Sequence, residues 1–484
     1  MIRDGAPTTD GVRIFATAML IYVVFLAPTL EGSMPWNYVD GAVSLVESGR
    51  WEVLHPDLYK FIDTAPARGR TVSGLPPGMA LLLAPLYAVW RIVAGPAVTR
   101  DDFVAFHALA VLVVSAGASA LGAAGVARLA GWLGASRPAR LWAAFLYAFG
   151  THAFQFATLL HKENVAAAMI VWAVVFGVEP GRWRRRALAG VIAGGVVAVG
   201  QQTMFLPPLL AVVVARSSGS RGLAAFSAGA LPPLAAQAAF NTWFFGAPWK
   251  TQYFAGVQPP PAMALPSARF LVEMLFSPHA GVVAHSLFLA ASVIGFAAAW
   301  RRQRRGEVGL TVLLFASIWV MSAMLLGQFG KIPNGARYCF YGVPLLAAFA
   351  GLAYDGLGRW TRIALAAPSI ALGYLIAQAG YMPGTAELSY AAKTFVSGTG
   401  MSVLFKETLP AWLGVETLHT MIVRPDVSAA DVLRMLPTRD GLLLARNQLV
   451  MLLLNLAALA LAGALVRMLW RAPSLDNAAV GAVR

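Results

Sequence analysis

The chain has 484 residues, of which 58% are hydrophobic and only 12% are charged, and its formal net charge is +15. An ordinary soluble domain carries about 25% charged residues, so this composition excludes a soluble globular protein and predicts a polytopic membrane protein. The single cysteine, Cys339, excludes an intramolecular disulfide and a cysteine metal cluster. The arginines form short clusters between apolar segments, a pattern that membrane topology explains better than nucleic-acid binding.

Apolar segments of nearly bilayer-spanning length predict about twelve membrane spans. They lie at 13–30, 104–126, 139–158, 164–179, 187–201, 204–216, 222–243, 284–300, 308–327, 339–355, 363–381 and 447–467. The first segment has no small-residue cleavage site, so we expect it to be retained as a signal anchor.

The arginine clusters predict the sidedness of these spans. The apolar stretch 76–95 would export several clusters if it crossed the bilayer, so we interpret it as an interfacial or re-entrant helix. Clusters then lie in the cytoplasm at 128–140, 182–186, 216–221, 301–305, 359–362 and 467–471. The predicted fold is all-α and polytopic, with both termini inside and amphipathic helices on the outer face.

Three segments on the predicted outer face are long enough to build a site, at 31–103, 244–283 and 382–446. We predict that residues 1–381 form a transmembrane core that includes the 31–103 loop. Residues 382–446 should form a small helical cap, and residues 447–484 the last span and a cytoplasmic tail.

An acid follows the first span in a predicted amphipathic helix. Val39, Val43 and Val46 recur at helical spacing, which predicts a helix lying on the membrane surface. Asp40 lies near its start, whereas solute carriers keep their key charges near the bilayer midplane. Asp40 is therefore either a base in an enzyme that works at the membrane surface or an acid that balances the helix dipole.

A second polar group interrupts the apolar pattern between the third and fourth spans. His161, Lys162 and Glu163 lie there, close to His152. Such groups are costly if they are desolvated without partners, so they form either a solvated turn or a contact to a phosphate or sugar. A metal site built on these histidines has no standard ligand spacing.

A third polar group joins the ninth and tenth spans. Lys331, Arg337 and Tyr338 lie in a glycine-containing loop, on the face where basic residues are discouraged. Arginine binds phosphate oxygens bidentately and lysine adds a point charge. The loop therefore either binds an anionic ligand or anchors to lipid headgroups. Elsewhere, Gln201 is suited to hydrogen-bond a sugar or a neighbouring helix.

Known nucleotide and hydrolase motifs are missing from the sequence. It has no Walker motif, dinucleotide fingerprint, G-x-S-x-G elbow or HExxH helix. A nucleotide-driven pump is therefore disfavoured.

The order of several short motifs resembles the GT-C superfamily of integral-membrane glycosyltransferases, of the protein mannosyltransferase and aminoarabinose-transferase type. The resemblance covers residues 10–355. The motifs are the 44–51 segment after the outer acid, Pro-Pro-Gly at 76–78, a Gly-Thr-x-x-aromatic edge at 150–154, Asn-x-x-Phe-Phe-Gly-x-Pro at 241–248 and Gly-Ala-Arg-Tyr at 335–338.

The resemblance implies transfer of a sugar, with inversion, from a polyprenyl-phosphate donor to an acceptor on the extracytoplasmic face. It places the general base best on Asp40. The rival carboxylates are Glu31, Asp57 and Asp63. The resemblance places the phosphate-binding arginine on Arg337. The residues themselves add Lys331 and Lys162 as predicted donor-phosphate contacts, and they give the predicted substrate contacts His161, Glu163, Gln201, Asn241 and Tyr338.

The sequence departs from the family pattern at three places. Many members have an acidic pair closer to the first span, where this chain has Met, Pro, Trp and Asn at 34–37. Ala336 replaces the proline before the arginine, and Leu75 replaces the lysine before Pro-Pro. The implied location is a bacterial inner membrane, and the acceptor is a glycan, a lipid or a protein. A divalent metal is left open as a cofactor. A flippase or transporter of lipid-linked saccharide and an envelope polysaccharide polymerase or ligase are the alternatives.

Overall fold

The computed structural model describes residues 8–26, 33–55, 63–251, 266–277, 281–326, 337–378, 457 and 459–471. Within these ranges, helices follow one another along the chain, and the one sheet is a two-stranded hairpin. The predicted helical class is therefore right. The hairpin is an addition that the sequence analysis did not predict.

The first part of the chain contributes α1 (Thr8–Val24), α2 (Ser33–Ser48), β1 (Thr64–Ala67), β2 (Arg70–Ser73) and α3 (Gly78–Ala94). The next part contributes α4 (Arg100–Ala110), a π-helical segment (Val111–Ala116), α5 (Gly117–Trp132), α6 (Arg137–Phe149), α7 (Ala153–Ala157), α8 (Lys162–Val178), α9 (Trp183–Val199) and α10 (Leu206–Phe245). The last part contributes α11 (Ala268–Phe276), α12 (Val282–His285), α13 (Ser292–Arg301), α14 (Arg305–Leu326), a 3₁₀ turn (Arg337–Gly342), α15 (Val343–Ala353) and α16 (Arg359–Gln378).

Four helical stretches in the described ranges are long and apolar enough to cross a membrane. They are Arg100–Trp132, Gln201–Phe245, Arg305–Met324 and Arg337–Gly356. Each overlaps one or two of the predicted spans. Most of the remaining predicted spans coincide with shorter helices, and the total of twelve stays a prediction.

Polar contacts bring the arginine-bearing loops together at one end of the bundle. Arg137 forms a bidentate pair with Asp10 at 2.8 Å. Arg302 Nη1 donates to the Gly134 carbonyl at 2.7 Å, and Ser136 Oγ donates to Asp355 at 2.8 Å. These contacts place the loops around residues 134–137, 302 and 355 beside one another. The membrane topology, including which side faces the cytoplasm, stays a prediction.

Helices α9 and α10 pack closely because glycines face each other across their interface. A Cβ added at Gly190 would overlap the backbone carbonyl of Phe226, and one added at Gly229 would overlap the carbonyl of Ala187. Small residues let two apolar helices approach until their backbones touch, which is how helices associate in a lipid environment.

The sequence analysis predicts that helix α2 lies on the membrane surface, and this prediction is wrong. Residues 34–44 of the helix are all buried. Its far end is joined to α3, where Tyr87 donates a hydrogen bond to Glu47 at 2.9 Å and Arg91 pairs with the same carboxylate at 3.0 Å. Burial raises the pKa of Tyr87 to about 12, so its hydroxyl remains a donor. Helix α2 is thus fastened to α3, the helix that we interpret as interfacial.

The β-hairpin turns through two residues of positive φ, Arg68 at 51° and Gly69 at 74°. Two-residue hairpins favour such turns because their twist matches that of the strands. Arg68 stacks over Trp243, with Cζ 3.9 Å from the ring centroid, and donates to the Trp243 carbonyl at 2.7 Å. The hairpin is therefore held against the end of α10.

Candidate active site

Asp40 is held on both carboxylate oxygens by the chain that follows its helix. The Leu54 amide donates to Oδ2 at 3.0 Å, and His55 Nδ1 lies 2.9 Å from Oδ1. Because an ionised carboxylate only accepts, His55 donates from Nδ1. The side chain of Asp40 is 1% exposed and that of His55 is 24% exposed. Two bonds therefore fix the carboxylate, and the histidine is the more accessible partner.

The helix-dipole interpretation of Asp40 is wrong. Helix α2 begins at Ser33, so Asp40 is in its third turn rather than its first. The dipole acts on charges within the first and last turns. The two hydrogen bonds from Leu54 and His55 account for this buried acid instead.

Aromatic side chains form one wall beside this acid. Phe103 of α4 stacks on Trp36 with centroids 5.5 Å apart and meets the His55 ring edge-on at 5.0 Å. Edge-to-face contacts of this kind orient a ring as well as bury it. The histidine is therefore positioned from two sides, by Asp40 and by Phe103.

A second group, which we call the ionic cluster, consists of His161, Lys162, Glu163, Arg337 and Tyr338. Glu163 Oε2 lies 3.2 Å from His161 Nδ1, and Glu163 Oε1 lies 3.8 Å from Arg337 Nε. Arg337 Nη2 donates to the Tyr338 hydroxyl at 2.9 Å. Lys162 Nζ lies 5.4 Å from the centroid of the Tyr338 ring.

The ionic cluster is buried, so the solvated-turn interpretation of this stretch is wrong. His161 is 1% exposed, and Lys162 and Glu163 are fully buried. The Arg337 side chain is only 11% exposed, which argues equally against an anchor in the lipid headgroups. Buried charges survive only with partners, and these residues supply such partners to one another.

Neutral contacts fix the backbone that carries the ionic cluster. The Asn164 amide donates to the Ser115 carbonyl at 2.6 Å and to the Phe156 carbonyl at 3.1 Å. Phe156 stacks on His161 with centroids 5.1 Å apart. The start of α8 is thereby tied to the π-helical segment, a distortion often found at functional sites.

Asp40 and Arg337, both in the described part of the chain, do not contact each other. Asp40 meets Phe103 through His55, whereas the ionic cluster meets Ser115 through Asn164. Phe103 and Ser115 lie on one continuous helical stretch, so each group packs against its own part of that stretch. The predicted site residues therefore fall into two separate groups.

The remaining predicted site residues belong neither to the Asp40–His55 pair nor to the ionic cluster as defined above. Asn241 donates to the Pro248 carbonyl at 2.9 Å and accepts from Gln237 at 2.8 Å, so it closes the turn after α10. Gln201 begins the short turn after α9. Asp63 lies at the base of the hairpin, where its carbonyl accepts from the Gly74 amide at 2.8 Å. Glu31, Asp57 and Lys331 lie outside the described residues.

The sequence analysis missed His55. It lies fifteen residues after Asp40, beyond the end of α2, so no helical spacing relates the two. The one indication of its role in the sequence was that His55 lies in the acid-rich 31–103 segment. Within the described ranges no three His, Cys, Asp or Glu side chains converge into a metal site.

Replacing Glu163 with glutamine should destabilise the protein by about 3–5 kcal/mol, because it leaves the buried cations without their carboxylate. The measurement is the midpoint of thermal unfolding in detergent. Glu273→Gln is the matched control, since Glu273 pairs with Arg269 at 2.8 Å on an exposed helix surface. Equal midpoints for the two variants would contradict a buried ionic cluster.

The chain is similar to several solved structures. This chain superposes on ArnT from Cupriavidus metallidurans bound to undecaprenyl phosphate with a TM-score of 0.50 and 15% identity. The superposition covers 94% of this chain and 76% of the ArnT chain. The superposition on ArnT from the same organism in the apo state covers 95% of this chain and 77% of the ArnT chain, with a TM-score of 0.49 and 16% identity. The archaeal oligosaccharyltransferase AglB from Archaeoglobus fulgidus, in complex with an inhibitory peptide and a dolichol-phosphate, covers 81% of this chain and 58% of the other, with a TM-score of 0.46 and 14% identity.

No family model matches the sequence, and no curated protein matches it. The likeness to undecaprenyl phosphate-bound ArnT, at 15% identity, establishes the fold alone. It agrees with the resemblance that the motifs carry. The chain therefore has the fold of ArnT.

Proposed function

We propose that this protein is a glycosyltransferase that moves a sugar from a polyprenyl-phosphate donor to an acceptor on the extracytoplasmic side of the membrane. The observation that carries the proposal is the ionic cluster, in which the fully buried Lys162 and the largely buried Arg337 both lie over the Tyr338 ring beside a single cluster carboxylate, Glu163. The ArnT structure that shares the fold was solved with undecaprenyl phosphate bound.

The chemistry needs a site for the departing phosphate. A polyprenyl phosphate leaves easily once its growing charge is neutralised, and preorganised cations in a desolvated site do this best. Arg337 and Lys162 would supply that charge, with Lys331 as a further predicted contact. Glu163 and Tyr338 would hold the guanidinium in place, because each contacts one of its nitrogens.

The acceptor hydroxyl needs a base. Asp40 would accept its proton, since a carboxylate within hydrogen-bond reach of a hydroxyl is an effective general base. Attack on the face opposite the phosphate would invert the anomeric carbon. His55 would act as a positioning residue, because it touches the Asp40 carboxylate rather than the reacting atoms.

The proposal is tested by mass spectrometry of lipid-linked sugars and envelope glycans from a deletion strain. The strain should lose one sugar modification and accumulate the matching polyprenyl-phosphate sugar. Expression of the wild-type chain should reverse both changes. Unchanged glycans and lipid-linked sugars would contradict the proposal, and accumulation of a whole lipid-linked oligosaccharide would instead support a flippase or a polymerase.

His55→Ala should lower the turnover number by about 100-fold with little change in the KM for the donor, because a reacting group displaced by about 1 Å loses that much. His55→Asn should recover much of the activity, since its amide can donate to Asp40 from nearly the same place. The readout is this split between kcat and KM. A loss confined to KM, or equal activities of the two variants, would contradict the positioning role.

The predicted sidedness has its own test. Lys393 and Lys406 lie in the predicted 382–446 cap, outside the described residues. A membrane-impermeant amine reagent added to intact spheroplasts should label both lysines. Labelling only after lysis would place the cap in the cytoplasm and would overturn the topology on which the extracytoplasmic active site depends.

A further inference from the structure

A cleft of about 410 Å³ opens between α1, α5, α6 and α8, and none of the proposed site residues lines it. Its walls are mainly apolar and include Phe15, Leu121 and Trp172. Two guanidinium groups, those of Arg128 and Arg140, also line it. The cleft lies at the end of the bundle that carries the arginine-bearing loops.

The cleft is polar at one end and apolar at the other. Leu121 and Arg128 both line it from α5, and seven residues of helix separate them by roughly 10 Å. Trp172 closes the apolar end and donates its indole N–H to the Leu121 carbonyl at 2.9 Å. A ligand that follows this wall needs a charged group at one end and a hydrocarbon portion at the other.

The charges at the polar end favour an anion. Asp10 is held by Arg137 at 2.8 Å, and Glu179 is held by Arg128 at 2.7 Å. Arg140 is the third arginine of this group, and its buried Nε has no hydrogen-bond partner among the described residues. Arg185 also pairs with Glu179, at 3.7 Å. These four arginines therefore carry two positive charges more than the two acids balance.

We propose that this cleft binds one anionic phospholipid. The lipid phosphate would accept hydrogen bonds from Arg140 and Arg128, and an acyl chain would lie against Leu121, Trp172 and Phe15. Basic pockets between transmembrane helices select anionic headgroups in this way. A zwitterionic lipid offers the same hydrocarbon but no net charge to the third arginine.

The experiment is native mass spectrometry of the full-length protein released from vesicles that contain equal amounts of phosphatidylglycerol and phosphatidylcholine. The wild type should retain phosphatidylglycerol in preference. Arg140→Gln should reduce that retention about five-fold, the factor that one basic residue contributes near an anionic membrane. Ala124→Phe should reduce it as well, because Ala124 lines the cleft and a larger side chain would fill it. Arg359→Gln is the control, since Arg359 is exposed and lies over Trp360 instead.

Three results would overturn the proposal. Equal retention of the two lipids would show that the cleft does not distinguish an anionic headgroup from a zwitterionic one. Preference for phosphatidylglycerol that survives both cleft variants would place the lipid elsewhere. Displacement of phosphatidylglycerol by added undecaprenyl phosphate would make the cleft a site for the lipid carrier. None of these results depends on sugar transfer, so the proposed enzymatic function stands or falls separately.

Discussion

Replacing Asp40 with asparagine is expected to abolish sugar transfer while the protein still accumulates in the membrane. Asparagine keeps the size of the side chain and an oxygen for the Leu54 amide, but it cannot take a proton from an acceptor hydroxyl. Loss of a general base costs a factor of about 100 to 10,000 in rate. The measurement is transfer from extracted polyprenyl-phosphate sugar by the purified protein in vesicles.

Asp63→Asn is the matched control among the rival carboxylates. Asp63 also belongs to the predicted outer loop, but its carbonyl closes the base of the hairpin by accepting from the Gly74 amide, whereas Asp40 pairs with His55. Its substitution should leave transfer unchanged. If Asp63→Asn abolishes transfer and Asp40→Asn does not, the base is Asp63 and the burial of Asp40 is structural.

Hydrophobic periodicity was enough to predict most helix positions. The two predicted spans 204–216 and 222–243 correspond to α10, whose helical dihedral angles fail at Gly219, where φ is 65°. Glycine adopts this conformation without steric cost, and the arginines on either side mark the same break. The ends of long apolar helices can therefore be predicted from the glycines and arginines that interrupt the apolar sequence.

The buried polar groups could not be predicted in this way. Nothing in the spacing of Asp40 and His55 indicates that the chain turns back after α2 to place one against the other. Lys162 and Glu163 are charged residues between two apolar segments, which locally indicates a solvated turn. Their burial depends on Arg337, which lies far along the chain. Tertiary contacts that join distant segments are absent from any local pattern.

The ionic cluster is costly for folding, which makes its presence informative. Replacing a buried ion pair with apolar residues of similar volume is often neutral or stabilising. Stability alone therefore does not explain why His161, Lys162, Glu163 and Arg337 meet at one place. A requirement for preorganised positive charge does explain it, because charges fixed by the fold need no rearrangement when a phosphate departs.

Arg337→Ala is expected to lower donor turnover by about 100- to 1,000-fold, as the loss of one preorganised charge donor does elsewhere. Arg337→Lys should recover part of this loss, because lysine keeps the charge but not the planar fork. The same series should weaken binding of undecaprenyl phosphate, measured by titration of the purified protein. Arg91→Ala is the control, since Arg91 pairs with Glu47 on a half-exposed surface of α3.

Loss of Arg337 also leaves Glu163 buried beside an empty position, so a folding defect must be separated from a catalytic one. The double variant Arg337→Ala, Glu163→Gln removes both charges. It should regain much of the thermal stability that Arg337→Ala loses, because the two residues are coupled. It should not regain transfer, since no guanidinium is left for the phosphate. If transfer returned together with stability, Arg337 would be a structural partner of Glu163, and the donor phosphate would bind elsewhere.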